Sequence, residues 1–144
     1  MILPRTIVLS DRYLNALDPI PPLENRSLTK YRLIIDEFGG YDLFQQALKT
    51  LREIADKYAV GIAEVASKYI LQKPMVAGVI IGARNQAHLE KLRKLDSFTL
   101  DETDLKKLAK LTALAKGPTG PFYELERDKE GKHGRIMKYN LNDK

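Results

Sequence analysis

The chain has 144 residues, 44% of them hydrophobic and 30% charged, which suffices for one domain with a real core. Its net charge of +5 is spread among interleaved acids and bases. No basic stripe with aromatics stands out, which speaks against a nucleic-acid interface. The absence of cysteine excludes disulfides, thiolate metal sites and a Cys nucleophile.

No apolar run approaches the length of a membrane span. Residues 1–5 lack the apolar core of a signal peptide, so the expected location is cytoplasmic, with no membrane partner.

Ile7-Val8-Leu9 reads as the end of a strand, and Ser10-Asp11-Arg12-Tyr13 as a polar turn. Pro19, Pro21 and Pro22 force a loop, which Asn25-Arg26-Ser27 closes. A short helix is expected over 29–38, with Tyr31, Ile34, Ile35 and Phe38 on one side and Gly39-Gly40 at its end. A stronger helix runs from about Asp42, a candidate N-cap, to Tyr58. Leu43, Ala47, Leu51, Ile54, Ala55 and Tyr58 form its apolar stripe. The next helix covers about 62–72, and Pro74 stops it.

Val76 to Ile81 is an unbroken small-apolar and β-branched run without alternation. That pattern predicts a strand buried on both faces, as in a parallel sheet covered by helices. Such a strand needs partners along both edges, and the chain does not obviously supply them. The run ends at Gly82-Ala83-Arg84 and passes into a helix containing Ala87, Leu89, Leu92 and Leu95. Strand, tight turn and helix start form a natural phosphate cradle.

Asp101 is the candidate cap of a helix reaching about Ala115, and Gly117 to Pro121 ends it. Phe122 to Lys144 is charge-rich and reads as an extended tail. His88 and His133 are far apart, lack metal-type spacing with carboxylates and read as solvated; no metal site is expected. The Gly117–Gly120 segment lacks the Lys-Ser/Thr of a P-loop, and no Gly-x-Gly-x-x-Gly is present.

Several of these segments act together as a signature. Leu9-Ser10-Asp11-Arg12-Tyr13, Asn25-Arg26-Ser27-Leu28, Leu51 to Tyr58, Ile62-Ala63-Glu64-Val65-Ala66, Val79 to Arg84 with His88-Leu89, and Leu100 to Leu105 occur in order. In this order and spacing they resemble the C-terminal half of an aldo-keto reductase, over about residues 7–115. The resemblance implies an α/β fold, the C-terminal part of a (β/α)8 TIM barrel. As an isolated chain this would be mostly helical, with one or two parallel strands: Val76–Ile81 as the eighth barrel strand and the end of the seventh near Leu9. It divides the chain into a reductase part, 1–116, and a tail, 117–144. Gly120 to Asn142 is similar to the tail of one subgroup.

The same resemblance implies NADP as cofactor, with NAD possible, and reduction of aldehydes or ketones. Ser10 and Arg12 match a loop against the pyrophosphate, and Arg26 an Arg of the loop that folds over the cofactor. Gly82, Ala83 and Arg84 match the turn holding the adenosine phosphate, and His88 a position contacting the same end. The family's catalytic Asp, Tyr, Lys and His lie in its N-terminal half, and no motif assigns those roles to Asp11, Tyr13, Lys30 or His88. The expected catalytic set in this chain is therefore empty. The chain is expected to be silent alone and to pair with the N-terminal half of the barrel. The alternative is a non-catalytic module that self-associates or pairs with another chain through an open sheet edge. Two positions depart from the family pattern. Lys91-Leu92 stands where an acidic–Asn pair contacts adenine, and the glycine that normally precedes the Ser10 loop is missing.

Overall fold

The computed structural model describes residues 11–16, 26–81, 86–117 and 122–136. In chain order they form a 3-10 turn at Asp11–Tyr13, then α1 (Arg26–Phe38), α2 (Tyr41–Lys57), α3 (Ile62–Leu71) and α4 (Gln86–Arg93). A 3-10 turn at Lys94–Asp96 leads to α5 (Glu102–Ala113), α6 (Phe122–Arg127) and a last 3-10 turn at Gly134–Ile136.

The hub is α2, which packs against α1, α3, α5 and the 11–13 turn. Its buried residues are Phe44, Ala47, Leu48, Leu51, Ile54 and Ala55, spaced at three and four residues. This face is broader than the expected stripe because α2 has neighbours on several sides. Leu43 is only half-buried, whereas Phe44 and Leu48 are fully enclosed. Ile35 from α1, Ile62 and Val65 from α3, and Leu108 from α5 complete the centre. Burying a side chain of this size stabilises by roughly 1.5–3 kcal/mol, against the entropy of ordering it.

Turn chemistry sets the helix directions. Gly39 and Gly40 have φ of 145° and 91°, conformations that a Cβ disfavours. A Cβ on Gly39 would also meet Leu43 Cδ2 at 2.6 Å. The cap of α2 is therefore Gly40, with no side-chain bond, and Asp42 is a first-turn acid. Between α2 and α3, Val60 N donates to Ala55 O (3.0 Å) and Ala59 N to Asp56 O (3.2 Å). This is a Schellman ending with buried Val60 against buried Ala55. The left-handed residue it requires is Ala59, at φ 54°, where glycine is the usual choice.

The α5 start matches the expectation. Asp101 accepts from Asp104 N at 2.9 Å, and the Asp104 carboxylate accepts from Asp101 N at 3.3 Å, a complete capping box. Residues 94–100 are fastened to α3 by side chains. Gln72 Nε2 donates to Leu100 O (3.0 Å), Gln72 Oε1 accepts from Leu100 N (2.8 Å), and Lys68 Nζ donates to Leu95 O (2.8 Å).

Four further expectations are corrected. Among the described residues there is no strand, and Val76–Ile81 is irregular rather than the predicted parallel strand. Ile80 is 82% exposed, Ala77 and Gly78 are exposed, and only Val76, Val79 and Ile81 are half-buried. The physical reason is edge pairing: a strand buried on both faces forms only with ladder partners, and the described residues provide none. The segment ending near Leu9 lies outside the described residues. Arg26 and Ser27 belong to α1 rather than to a loop, so that helix begins earlier than expected. The tail is folded rather than extended over 122–136, and His133 is buried rather than solvated.

Candidate functional site

Three segments carry the residues expected to face a phosphate. Ser10 and Gly82, Ala83 and Arg84 lie outside the described residues. Arg12 sits in the 11–13 turn, Arg26 is the first residue of α1, and His88 is in the first turn of α4. For these three, backbone placement is described and side-chain placement is not.

The 11–16 segment is bound to α2 by a set of side chains that no sequence motif singles out. Gln45 uses both ends of its amide, donating from Nε2 to Tyr13 O (2.8 Å) and accepting from Asn15 N (2.8 Å). Tyr41 donates its hydroxyl to Ala16 O at 2.6 Å. Tyr13 is itself buried in the core at 4% exposure. The strongest tie is Arg52. Its Nη1 meets Asp11 Oδ1 at 2.9 Å, Nη2 donates to Val60 O at 2.9 Å, and Nε donates to Asp56 Oδ1 at 2.9 Å. Partial burial works against the guanidinium charge, but the hydrogen bonds to Asp11 and Asp56 outweigh it and raise the pKa above its ordinary value. One planar fork thus joins the turn before α1 to the turn after α2, a task that needs Arg rather than Lys. The signal was in plain view as Arg52 and Asp56 at i, i+4. Their third partner, Asp11, is 41 residues away and invisible to local spacing.

A second polar hub lies at the C-terminal end of α2. Asp104, 3% exposed, accepts from Tyr58 Oη at 2.6 Å and from Lys57 Nζ at 2.9 Å, beside the capping box. Lys57 also pairs with Asp101. Its ammonium, held first by Asp101 and then by Asp104, is raised above the ordinary lysine range. The Lys57 ammonium in turn, with Asp104 N as a second donor, lowers Asp101 to about 2. This hub is structural: it docks α5 on α2.

The structure brings some expected site segments together and leaves others apart. The 11–13 turn and α1 both pack on α2. By contrast, α4 joins the fold through the 94–96 turn, which packs on α3. Among the described elements no extended contact links α4 to α1 or to the 11–13 turn. Gln86, Ala87 and Leu89 are exposed, and among the described side chains of α4 Leu92 alone touches the core edge.

The helix starts differ in charge. α2, α3, α5 and α6 each carry an acidic residue in the first turn: Asp42, Glu64, Glu102 with Asp104, and Glu124. α1 and α4 carry none. An acid there would satisfy the positive end of the helix dipole, so its absence leaves those two ends suited to an outside anion.

A family model, Aldo/keto reductase family, matches residues 7–113. The chain belongs to the aldo/keto reductase family. The match begins just before the 11–13 turn, runs through α5 and excludes α6 and the 134–136 turn. No curated protein and no solved structure gives a significant match. Membership implies a reductase-type oxidoreductase domain, a family that generally uses NAD(P)H and a (β/α)8 barrel for the family fold; the described residues are mostly helical. No helix among the described residues is long and apolar enough to cross a membrane.

Proposed function

We propose that this chain forms the cofactor-phosphate side of an NAD(P)H-dependent carbonyl reductase, and that NADP is the preferred cofactor. The observation that carries the reading is the pair of acid-free helix starts at Arg26 and just after Arg84, within a region matched to the aldo/keto reductase family. The donor set fits the group: a serine hydroxyl, three guanidiniums, an imidazole and backbone N–H groups all suit phosphate oxygens. Ser10 and Arg12 would hold the pyrophosphate. Arg26 would fold over the cofactor, and Gly82, Ala83, Arg84 and His88 would hold the adenosine-phosphate end. When bound, the cofactor supplies a hydride for a carbonyl carbon.

The chain's own residues bind and orient. Arg52, Gln45 and Tyr41 fix the segment that comes after Ser10 and carries Arg12. The proton for the carbonyl oxygen comes from groups of the barrel's N-terminal half, so these residues alone bind but do not turn over. We place the protein in the cytoplasm, where that half is its partner. The test is titration of the purified chain with 2′-phospho-ADP-ribose and a carbonyl-dependent NADPH oxidation assay. Binding that weakens with salt and falls about ten-fold in Arg84→Ala is expected, since a charge-assisted contact contributes roughly 1.5–3 kcal/mol. Turnover without an added partner overturns the silence, and equal affinity for ADP-ribose overturns the NADP preference.

A second reading, of another class, has its own support. Val76–Ile81 is an apolar run that exposes Ala77, Gly78 and Ile80 beside fully exposed Met75. Such a segment can pair with a sheet edge from another copy or another chain, which makes the protein an interaction module. Sedimentation decides: a concentration-dependent dimer without cofactor binding favours it, and a monomer that binds cofactor removes it.

A further inference from the structure

The segment Phe122–Ile136 lies outside the family match and makes contacts that the proposed function does not use. The chain reaches it from the C-terminal end of α1, where Lys116 N donates to Phe38 O at 3.0 Å. Further on, Glu126 pairs with Lys30, one helical turn past the start of α1 at Arg26. It then returns, and His133 Nε2 meets Glu37 Oε2 at 2.9 Å near the C-terminal end again. The partners on α1 are therefore Phe38, then Lys30, then Glu37: the segment travels up the helix and back. Lys30, Ile34 and Glu37 share one face at i, i+4 and i+7, and Ile34 is buried at 3% exposure.

Within the segment the backbone closes on itself. Asp128 N donates to Glu124 O, Gly131 N to Asp128 O and Arg135 N to Gly131 O, each at 3.0 Å. A Cβ on Gly134 would lie 1.8 Å from Asp128 O, so the closure requires glycine there. The unit is compact, and its described side chains supply few buried apolar anchors. Leu125 and Ile136 are only half-buried, and among the described side chains the one fully buried anchor is an imidazole. That imidazole leaves Nδ1 buried without a hydrogen-bond partner among the described residues. The polar tie of this anchor is its bond to Glu37, and segments with few buried apolar side chains open at low cost.

We propose that Phe122–Ile136 is a releasable strap over α1, with Glu37–His133 as its latch and Lys30–Glu126 as the second fastening. It opens while the α2-centred core stays folded, and opening uncovers the face of α1 that begins one turn after Arg26. The proposal stands whether or not the chain binds a nucleotide.

Native-state amide hydrogen exchange on the full chain tests it. The amides of Asp128, Gly131 and Arg135 report on the strap, and those of Leu48, Leu51 and Ala55 on α2. The expected result is strap exchange through an opening that leaves α2 protected. Glu37→Gln and His133→Phe should speed strap exchange about ten-fold, as loss of a hydrogen bond to a charged group implies, without changing α2. Lys30→Glu and Glu126→Lys should each loosen the strap, and the double swap should restore it. Strap amides that exchange only at the rate of α2 overturn the proposal, as does Glu37→Gln changing both regions equally or neither. If a latch variant fails to fold, the charge swap decides: an unrestored double variant rejects the fastening.

Discussion

Replacing Arg52 by Met keeps the aliphatic stem and removes the fork that joins Asp11, Asp56 and Val60. The three partners are not equal. Asp11 and Asp56 keep 57% and 71% of their side-chain surface, so each is a solvent-screened pair contributing about 0.5 kcal/mol. Val60 is buried, and its part-buried carbonyl loses a charged donor, which costs roughly 1–2 kcal/mol. Together these losses predict a destabilisation of about 2–3 kcal/mol, discounted toward 2 because a quarter of the Arg52 side chain is exposed. Urea unfolding monitored by circular dichroism should show it as a lower midpoint with unchanged slope. Arg52→Lys should recover less than half, since an ammonium cannot match three directions at once. The amides of residues 11–16 should lose protection more than those of α3, because the 11–16 turn has Arg52 as its link across the α2–α3 turn. A loss under about 0.5 kcal/mol, or full rescue by Lys, would refute the reasoning that the fork rather than the charge holds this turn.

The left-handed Ala59 makes a stabilising substitution available: Ala59→Gly should raise stability by about 0.5–1 kcal/mol in the same urea assay, relief of the Cβ clash exceeding the added chain entropy. Asp101, lowered to about 2 by Lys57 and Asp104 N, contributes stability that is present above its unfolded pKa near 4 and fades as pH falls toward 2. Thermal midpoints over pH 2–6 should therefore drop on the acid side, and Asp101→Asn, which keeps the cap, should flatten that drop. Lys57 is raised, so its contribution is present at neutral pH and is lost only at strongly alkaline pH. Ile80→Lys should leave the urea midpoint within about 0.5 kcal/mol of the parent, since the side chain is 82% exposed, yet abolish co-purification with a co-expressed N-terminal barrel half. Co-purification that survives the lysine would show that Val76–Ile81 is not where the partner's sheet attaches.

The local grammar of this chain was readable without coordinates. Asp101 announced a helix cap, Gly39-Gly40 announced a break, and the spacing of Ala47, Leu51, Ile54 and Ala55 announced a buried helix face. Each of those features closes within a few residues, so neighbours in sequence determine it. The ordered string of motifs also identified the family, because order and spacing survive in one dimension. What only the tertiary structure decided depends on groups distant along the chain. The Val76–Ile81 run has strand chemistry and no strand, because pairing is supplied by other segments and none is offered among the described residues. Arg52 is an ordinary helix arginine until Asp11 comes beside it across 41 residues, and His133 is a tail histidine until Glu37 meets it across 96. Burial and charge pairing of that kind are properties of the packed chain, which periodicity along the sequence does not encode.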